Sequence, residues 1–222
     1  MKGKLIVFEG VEGAGKTTQM QRLIHWLQAS CFLRVPLVAT REPGGTELGR
    51  GLRHLLLKQD SGELVCDRAE LLMYAADRAQ HVETFLKPEL LKGTIVLCDR
   101  FTDSTIAYQG YGRGLNLNLI KQLNTIATGG LESDLTLWLD INVEAGLARV
   151  RARGGCDRIE QADLGFHRLV QQGFAELAGE NGSRIVRIDG DRPEYEVAQE
   201  IQTIVTRRLE VWGYLNNTHS AK

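Results

Sequence analysis

The chain has few cysteines and no long apolar run, and each scarcity excludes a class of protein. Its four cysteines lie far apart, without a C-x-x-C pair or a regular spacing, so we do not expect a disulfide framework. No apolar run approaches the roughly 20 residues that a membrane-spanning helix needs. We therefore expect a cytoplasmic protein with reduced thiols and no membrane partner. Cys98 falls in an apolar segment and is expected in the core, whereas Cys156 falls in a polar loop.

The chain also lacks an excess of charge of either sign, with 27 Lys and Arg against 28 Asp and Glu. A balanced charge gives no broad attraction to nucleic acid or to an anionic membrane. Any cluster of arginines must then have a local purpose. With 222 residues, 43% of them hydrophobic, the chain can bury a full core. We expect a single domain over residues 1–222, with residues 213–222 as a flexible tail.

A glycine-rich segment, residues 10–17, matches the pattern G-x-x-x-x-G-K-[ST] directly after the first apolar run. In this pattern backbone N–H groups surround a phosphate chain, Lys16 reaches the terminal phosphates and the Thr17 hydroxyl binds Mg²⁺. A glycine-rich turn with a surface lysine is the alternative. The predicted nucleotide phosphate site consists of Gly10, Val11, Glu12, Gly13, Ala14, Gly15, Lys16, Thr17 and Thr18.

Short apolar segments alternate with helical stretches along the chain. Strands are predicted over residues 4–9, 35–39, 94–98, 135–139 and 184–188, and helices over 16–29, 47–58, 68–86, 117–128, 143–153, 163–178 and 195–211. Asn116 and Asn142 are plausible N-caps. Continuous apolarity in residues 95–97 and 135–139 indicates strands buried on both faces. We therefore predict a three-layer α/β/α fold with a five-stranded parallel sheet.

Three cations follow closely after predicted strands, namely Lys16, Arg41 and Arg100. Open α/β sheets bind their ligands at the carboxyl ends of the strands, so these side chains are expected to converge. Together they exceed what one triphosphate needs in such a loop. We therefore expect a second anionic ligand and a reaction that joins two phosphate-bearing molecules.

Several segments, in this order, resemble bacterial thymidylate kinases. They are residues 8–18, 40–46, 99–100, 107–110, 151–154 and 157–160. The resemblance spans nearly the whole chain and implies a P-loop kinase fold. It also implies transfer of the γ-phosphoryl group of ATP to dTMP with Mg²⁺, small nucleotides rather than nucleic acid as partners, and a homodimer.

The resemblance implies roles for residues around the acceptor nucleotide. Arg41 and Arg100 would hold the acceptor phosphate, and planar guanidinium groups suit a phosphate dianion. For both arginines the alternative is a cap or a surface ion pair. Asp99 would either order Mg²⁺ through water or orient Arg100, and the alternative is a carboxylate that satisfies a backbone turn. Tyr74 would stack on thymine, in place of the phenylalanine expected there, and Arg78 would donate to a ring carbonyl oxygen; a core tyrosine is the alternative.

The same resemblance extends to the pyrimidine edge and the sugar. Thr105 and Gln109 would contact the base, and Tyr108 would exclude a ribose 2′-hydroxyl group. A short structural helix is the alternative for these three residues. Glu12 should point away from the phosphates, because a carboxylate repels them. It would accept a hydrogen bond from the 3′-hydroxyl group of the acceptor, or it is a solvated residue.

A lid over residues 149–160 is expected to supply the catalytic cations. Some relatives carry an arginine at the position of Gly13, whereas bacterial-type members use lid arginines, and this chain has Arg149, Arg151, Arg153 and Arg158. On a helix Arg149 and Arg153 share a face while Arg151 points away. Arg153 is expected to contact the transferred phosphoryl group and Arg149 to lie over adenine. A basic helix C-terminus, favoured by the macrodipole, is the alternative.

Two other functions stay open at this point. One is a kinase for another nucleoside monophosphate or for a deoxynucleoside, which the base-contacting residues would discriminate. The other is a nucleotide-dependent switch ATPase, against which the extra acceptor-side arginines stand.

Overall fold

A parallel sheet lies at the centre of the computed structural model, which describes residues 2–29, 35–58, 65–154 and 157–215. Its five strands are β1 (Lys4–Glu9), β2 (Leu37–Arg41), β3 (Ile95–Asp99), β4 (Leu135–Asp140) and β5 (Ile185–Asp189). They pair in the order β2-β3-β1-β4-β5. The strands that lead into the three predicted cation positions are therefore neighbours.

Both faces of the sheet are buried, as the continuous apolarity predicts. In β1, Ile6 and Phe8 belong to one apolar cluster and Leu5 and Val7 to another, and none of them is exposed to solvent. Apolar side chains from the flanking helices cover each cluster. The three-layer α/β/α fold is confirmed.

Helices connect the strands along the chain. They are α1 (Lys16–Ala29), α2 (Glu47–Leu57), α3 (Asp67–His81), α4 (Lys87–Leu91), α5 (Thr102–Thr105), α6 (Leu117–Thr128), α7 (Val143–Arg153), α8 (Leu164–Glu180) and α9 (Glu194–Val211). Short π-helical segments, Val82–Leu86 and Ile106–Gly112, extend α3 and α5. Both predicted N-caps are confirmed, since the side chains of Asn116 and Asn142 accept from backbone N–H groups in the first turns of α6 and α7.

One strand and one helix have bounds that differ from the predicted ones for identifiable reasons. The second strand begins at Leu37 rather than at residue 35, because Pro36 has no N–H group to donate to the sheet. It continues to Arg41, which pairs with Asp99 of β3. The helix predicted over residues 68–86 ends as α-helix at His81 and continues through a wider π-helical turn, which an apolar spacing does not distinguish.

The predicted tail also began too early. Tyr214 is buried, and its hydroxyl group donates to the backbone oxygen of Lys2 at 2.7 Å, so the fold continues past Gly213. Residues 216–222 lie outside the described residues, as does Cys156. Cys98 is buried as expected, and Cys66 is exposed; both are free thiols. In the part of the chain that the structure describes, no helix is long and apolar enough to cross a bilayer.

Candidate active site

A cavity of about 780 Å³ opens at the carboxyl ends of the strands. Arg41 of β2 pairs with Asp99 of β3, which pairs with Phe8 of β1, so these strands end level with one another. The cavity brings together most of the predicted site residues: Glu12, Gly13, Ala14, Gly15, Lys16, Thr17, Thr18, Arg41, Tyr74, Arg78, Asp99, Arg100, Thr105, Tyr108, Gln109, Arg149 and Arg153.

Lys16 lies at the base of the glycine-rich loop. Its ammonium group donates to the backbone oxygens of Gly10 at 2.9 Å and of Val11 at 3.0 Å. Gly10 and Val11 do not line the cavity themselves. Burial and the neighbouring Arg100 lower the pKa of Lys16. These carbonyl oxygens hold the lysine in place beside the space where the loop can receive phosphate.

Gly13 is required by packing as well as by backbone conformation. Its φ is +73°, and a Cβ atom there would lie 2.2 Å from the backbone oxygen of Gly146 in α7. An arginine therefore cannot replace Gly13 in this arrangement. The same close approach brings α7 against the loop, where Arg149 donates to the backbone oxygen of Gly13 at 3.3 Å.

Thr17 and Asp99 place two oxygen ligands beside the loop. The Thr17 hydroxyl group donates to Asp99 Oδ2 at 3.1 Å. Hydroxyl and carboxylate oxygens are ligands that Mg²⁺ prefers, and Mg²⁺ in kinases is completed by substrate phosphates and water. Among the described residues no group of three or more His, Cys, Asp or Glu could hold a metal ion. The Thr17 hydroxyl group and the Asp99 carboxylate are donors of the kind that suits Mg²⁺.

Glu12 is largely buried rather than solvated. Its Oε1 accepts from Arg100 Nη2 at 2.6 Å and from the Tyr108 hydroxyl group at 2.8 Å. Burial alone would raise the pKa of Glu12, but Arg100, Lys16 and Tyr108 outweigh it and lower the pKa to about 2. The carboxylate is therefore ionised and turned toward Arg100 and Tyr108.

Arg100 adopts the left-handed backbone conformation, with φ at 71°, which is uncommon for a residue other than glycine. A buried carboxylate, Glu9, lies behind it and accepts from Phe101 N at 2.8 Å, Ser104 N at 3.1 Å and Ser104 Oγ at 2.6 Å. Burial raises the pKa of Glu9 to about 7. Sequence reasoning missed Glu9, although its place at the end of β1 was a usable signal.

Arg78 is almost wholly enclosed, with 2% of its surface exposed. Its Nε donates to Glu42 Oε2 at 2.8 Å, and its Nη2 to the backbone oxygen of Phe101 at 3.0 Å. Its Nη1 donates to Thr105 Oγ1 at 2.8 Å and to Asn124 Oδ1 at 2.9 Å. Arg78 is thus fixed by four partners before any ligand binds.

The loop after β2 is anchored on α3 by the same group of buried side chains. Glu42 Oε1 lies 2.8 Å from His81 Nδ1, and His81 Nε2 lies 2.7 Å from the Thr40 hydroxyl group. Asp77 accepts from the backbone N–H of Gly44 at 2.9 Å, and burial raises the pKa of Asp77 to about 6. Sequence reasoning missed these partners because they meet only across two elements.

Tyr74 and Arg41 have fewer partners. Tyr74 lines the cavity, burial raises the pKa of its hydroxyl group, and that group forms no hydrogen bond with the described residues. Arg41 is exposed at the rim and makes no ion pair within the described ranges. Beside it lies Arg53, which donates to the backbone oxygen of Pro43 at 3.1 Å and was not predicted.

The predicted lid divides its arginines as helical spacing suggests, with one correction. Arg149 and Arg153 face the cavity and Arg151 does not. Arg153 pairs with Glu160, and 61% of its side chain is exposed. Arg158 is not a free lid cation, because it pairs with Glu70 and donates to the backbone oxygen of Leu56 at 2.9 Å. Residues 155–156 lie outside the described residues.

The loop between β5 and α9, together with the first turn of α9, closes the far side of the cavity, and the sequence did not predict this. Gly190, Arg192, Glu194 and Val197 line the cavity there. Gln19 of α1 donates to the backbone oxygen of Glu194 at 2.9 Å and joins the start of α9 to α1.

Comparison with known proteins identifies relatives of the whole chain. A family profile described as thymidylate kinase matches residues 8–201. A thymidylate kinase of Trichodesmium erythraeum (strain IMS101) is 59% identical over 97% of this chain and 100% of its own length. A thymidylate kinase of Nostoc punctiforme is 62% identical over 95% of this chain and 99% of its own length. A thymidylate kinase of Cyanothece sp. is 57% identical over 96% of this chain and 97% of its own length. The chain belongs to the thymidylate kinase family.

Proposed function

We propose that this chain transfers the γ-phosphoryl group of ATP to dTMP and releases ADP and dTDP. The observation that carries the proposal is a single cavity with two chemically distinct ends. One end is the glycine-rich loop with Lys16, and the other is the buried set around Arg78 and Gln109. Family membership over residues 8–201 supports the same reaction.

ATP would bind with its phosphates in the loop. The backbone N–H groups of residues 13–18 and the ammonium group of Lys16 neutralise its charge. Thr17 and Asp99 would hold Mg²⁺, which neutralises phosphate charge when it is bound. Arg149 lies close enough to Gly13 to cover the nucleotide from α7.

dTMP would bind with its base toward Tyr74, Arg78, Thr105 and Gln109, and with its phosphate toward Arg41 and Arg100. Glu12 would accept from the 3′-hydroxyl group of the sugar. Tyr108 packs under Arg100, with 4.8 Å between the guanidinium carbon and the ring centre, and would fill the space of a 2′-hydroxyl group. The shared Glu12–Arg100 pair would join the sugar and phosphate sites.

Catalysis would need alignment and charge neutralisation rather than a general base. The second pKa of a phosphate monoester is about 6, so the attacking oxygen is already anionic at neutral pH. Lys16 and Arg153 would stabilise the charge that develops on the transferred group. Arg153 must first leave Glu160, and we infer that residues 149–160 act as a lid within one domain, which excludes water when it closes.

A homodimer in the cytoplasm completes the proposal. Large apolar side chains are exposed on three neighbouring helices, α2, α3 and α6: Leu48, Leu55, Leu72, Leu119 and Ile126. Together they would form the kind of apolar surface that is typical of an interface. Free thiols at Cys66 and Cys98 suit a reducing compartment. Analytical ultracentrifugation of wild type and Leu72→Glu would test the dimer: the wild type should sediment as a dimer and the variant as a monomer.

An assay of ADP release with a panel of nucleoside monophosphates tests the reaction. We expect dTMP to be the best acceptor, ahead of dCMP, dGMP and the ribose analogue. ADP release that does not depend on any acceptor would instead support a nucleotide-dependent switch, and preference for another monophosphate would overturn the assignment to dTMP.

A further inference from the structure

Glu70 of α3 is a buried carboxylate that the reaction described above does not use. It has no exposed surface and lies at the meeting point of three elements. Its Oε1 accepts from Gln109 Nε2 at 2.8 Å and from Arg113 Nε at 3.3 Å. Its Oε2 accepts from Arg113 Nη2 at 3.2 Å and from Arg158 Nη2.

The environment of Glu70 keeps it ionised. Burial alone would raise the pKa of its carboxyl group, but hydrogen bonds from Gln109, Arg113 and Arg158 outweigh burial and lower the pKa. An ionised carboxylate has no proton to donate, so it can only accept hydrogen bonds. Whatever faces Glu70 must therefore present a donor.

This requirement fixes the orientation of the Gln109 amide. A glutamine side chain ends in one donor group and one acceptor oxygen, and the two are exchanged by a half-turn. Because Glu70 takes the NH₂ group, Gln109 Oε1 is directed elsewhere, and none of the described residues donates to it. Gln109 also lines the cavity, so the acceptor oxygen is the group available to a ligand there.

Arg78 supplies the opposite polarity at the same end of the cavity. Four of its N–H groups have partners, in Glu42, Thr105, Asn124 and Phe101. A guanidinium group has five N–H donors and no acceptor, so one Nη2 hydrogen is left. The pocket therefore offers a ligand one donor, from Arg78, and one acceptor, from Gln109.

A base edge that fits this pair has a carbonyl oxygen beside a ring N–H group. Thymine has this edge, at O4 and N3–H. Cytosine has the reverse, an amino group beside an unprotonated ring nitrogen. We propose that Glu70 is a positioning residue that sets the polarity of Gln109, so that the pocket accepts the thymine edge and rejects the cytosine edge. This inference rests on the proposed function, since it assigns the base end of the same cavity.

The expected effect is large enough to measure. A reversed edge leaves buried polar groups of the pocket unpaired, which weakens binding of the wrong base. In Glu70→Gln the new amide can donate to Gln109 Oε1, which lets the Gln109 amide turn around. We expect the preference for dTMP over dCMP to fall by roughly tenfold or more, since about 1.4 kcal/mol corresponds to a factor of ten.

The experiment compares kcat/KM for dTMP and dCMP in wild type, Glu70→Gln and the matched control Arg113→Gln. The control removes one ionic partner of Glu70 but keeps the Glu70–Gln109 hydrogen bond. We expect Glu70→Gln to lose selectivity through KM, with kcat for dTMP near the wild-type value, and Arg113→Gln to keep the wild-type ratio. A folded Glu70→Gln with the wild-type ratio would overturn the proposal, as would an equal loss in the control.

A second variant and a binding measurement keep the test decisive. Gln109→Met has similar length but neither donor nor acceptor, and it should lose the dTMP preference even if Glu70→Gln does not fold; an unchanged ratio overturns the proposal. Calorimetric dissociation constants for dTMP and dCMP do not depend on turnover. Selective binding that Glu70→Gln abolishes, in an enzyme that does not phosphorylate dTMP, would refute the proposed function and leave the role of Glu70 supported.

Discussion

The two ends of the cavity are built in different ways. At the end proposed for the acceptor, Arg78 is 2% exposed and has four partners from the protein. At the phosphoryl end Arg153 has 61% of its side chain exposed, with a single ion pair to Glu160 among the described residues. A buried guanidinium needs partners at all times, whereas an exposed one can exchange a carboxylate for a phosphate at low cost.

The difference fits the part of the reaction that we propose for each end. A base is recognised by fixed donors and acceptors, so the groups that read it are held rigidly by their neighbours. A phosphoryl group carries changing charge during transfer, and the cations that meet it must be able to arrive with the substrate. Lys16 lies between these extremes, since it is buried and, in the described part of the chain, hydrogen-bonded to two backbone oxygens.

The largest expected effect comes from removing Lys16. In Lys16→Ala we expect kcat to fall about 10³-fold or more, because the main fixed cation at the transferred group is lost. Steady-state ADP release measures the change. Lys92→Ala, which removes an exposed lysine paired with Glu89, should retain wild-type turnover. Turnover in Lys16→Ala within tenfold of wild type would show that the loop does not act on phosphate.

The second prediction concerns stability and compares Arg78 at one end of the cavity with Arg153 at the other. Arg78→Met removes one partner of the buried Glu42, so we expect the free energy of unfolding to fall by about 3–5 kcal/mol. Arg153→Met removes an exposed ion pair and should change it by less than about 1 kcal/mol. Urea denaturation followed by circular dichroism measures both. Equal losses of stability in the two variants would show that the buried Arg78 and the exposed Arg153 do not differ in their contribution to the fold.

Removal of Arg153 should affect turnover and leave acceptor binding intact. In Arg153→Ala we expect kcat to fall about 10²-fold, because a donor to the developing charge is lost, with KM for dTMP nearly unchanged. Arg151→Ala is the matched control, since Arg151 lies on the same helix but does not line the cavity. Wild-type kcat in Arg153→Ala would assign the catalytic cation to another residue.

The smallest effect is expected at Tyr74. Its hydroxyl group has no hydrogen-bond partner among the described residues, so Tyr74→Phe removes nothing that the protein itself uses. We expect KM for dTMP to change by less than about threefold, which corresponds to a change in binding free energy of less than about 0.7 kcal/mol. A tenfold or larger rise in KM would show that the hydroxyl group contacts the substrate.

Much of this arrangement could be predicted from the sequence because it is local. The glycine-rich loop, its lysine and threonine, and the facing of Arg149 and Arg153 depend on spacing within one segment. The strands were visible because both faces of the sheet are buried and their apolar runs are unbroken. The predicted start of β2 was wrong because Pro36 cannot donate to the sheet. The predicted start of the tail was wrong because Tyr214 packs back onto the fold.

The partners of the site residues could not be predicted in this way. Glu42 and Glu70 are buried carboxylates, and no local pattern distinguishes them from solvated ones. Each is stabilised by donors that are distant in the sequence, such as Arg78 for Glu42 and Arg158 for Glu70. Arg158 illustrates the consequence: the sequence placed it among the lid arginines, and the fold pairs it with the buried carboxylate of Glu70.

The sequence by itself therefore determined the fold class, the phosphate loop and the set of charged groups at the strand ends. Periodicity and steric limits on the backbone act within a few residues and can be read from the chain. Only the tertiary structure decided which of those charges are paired with each other and which are left for a ligand. The physical reason is that the pairing of a buried charge depends on which distant segments fold against it, and the polarity that Gln109 presents to the cavity is set in this way by Glu70.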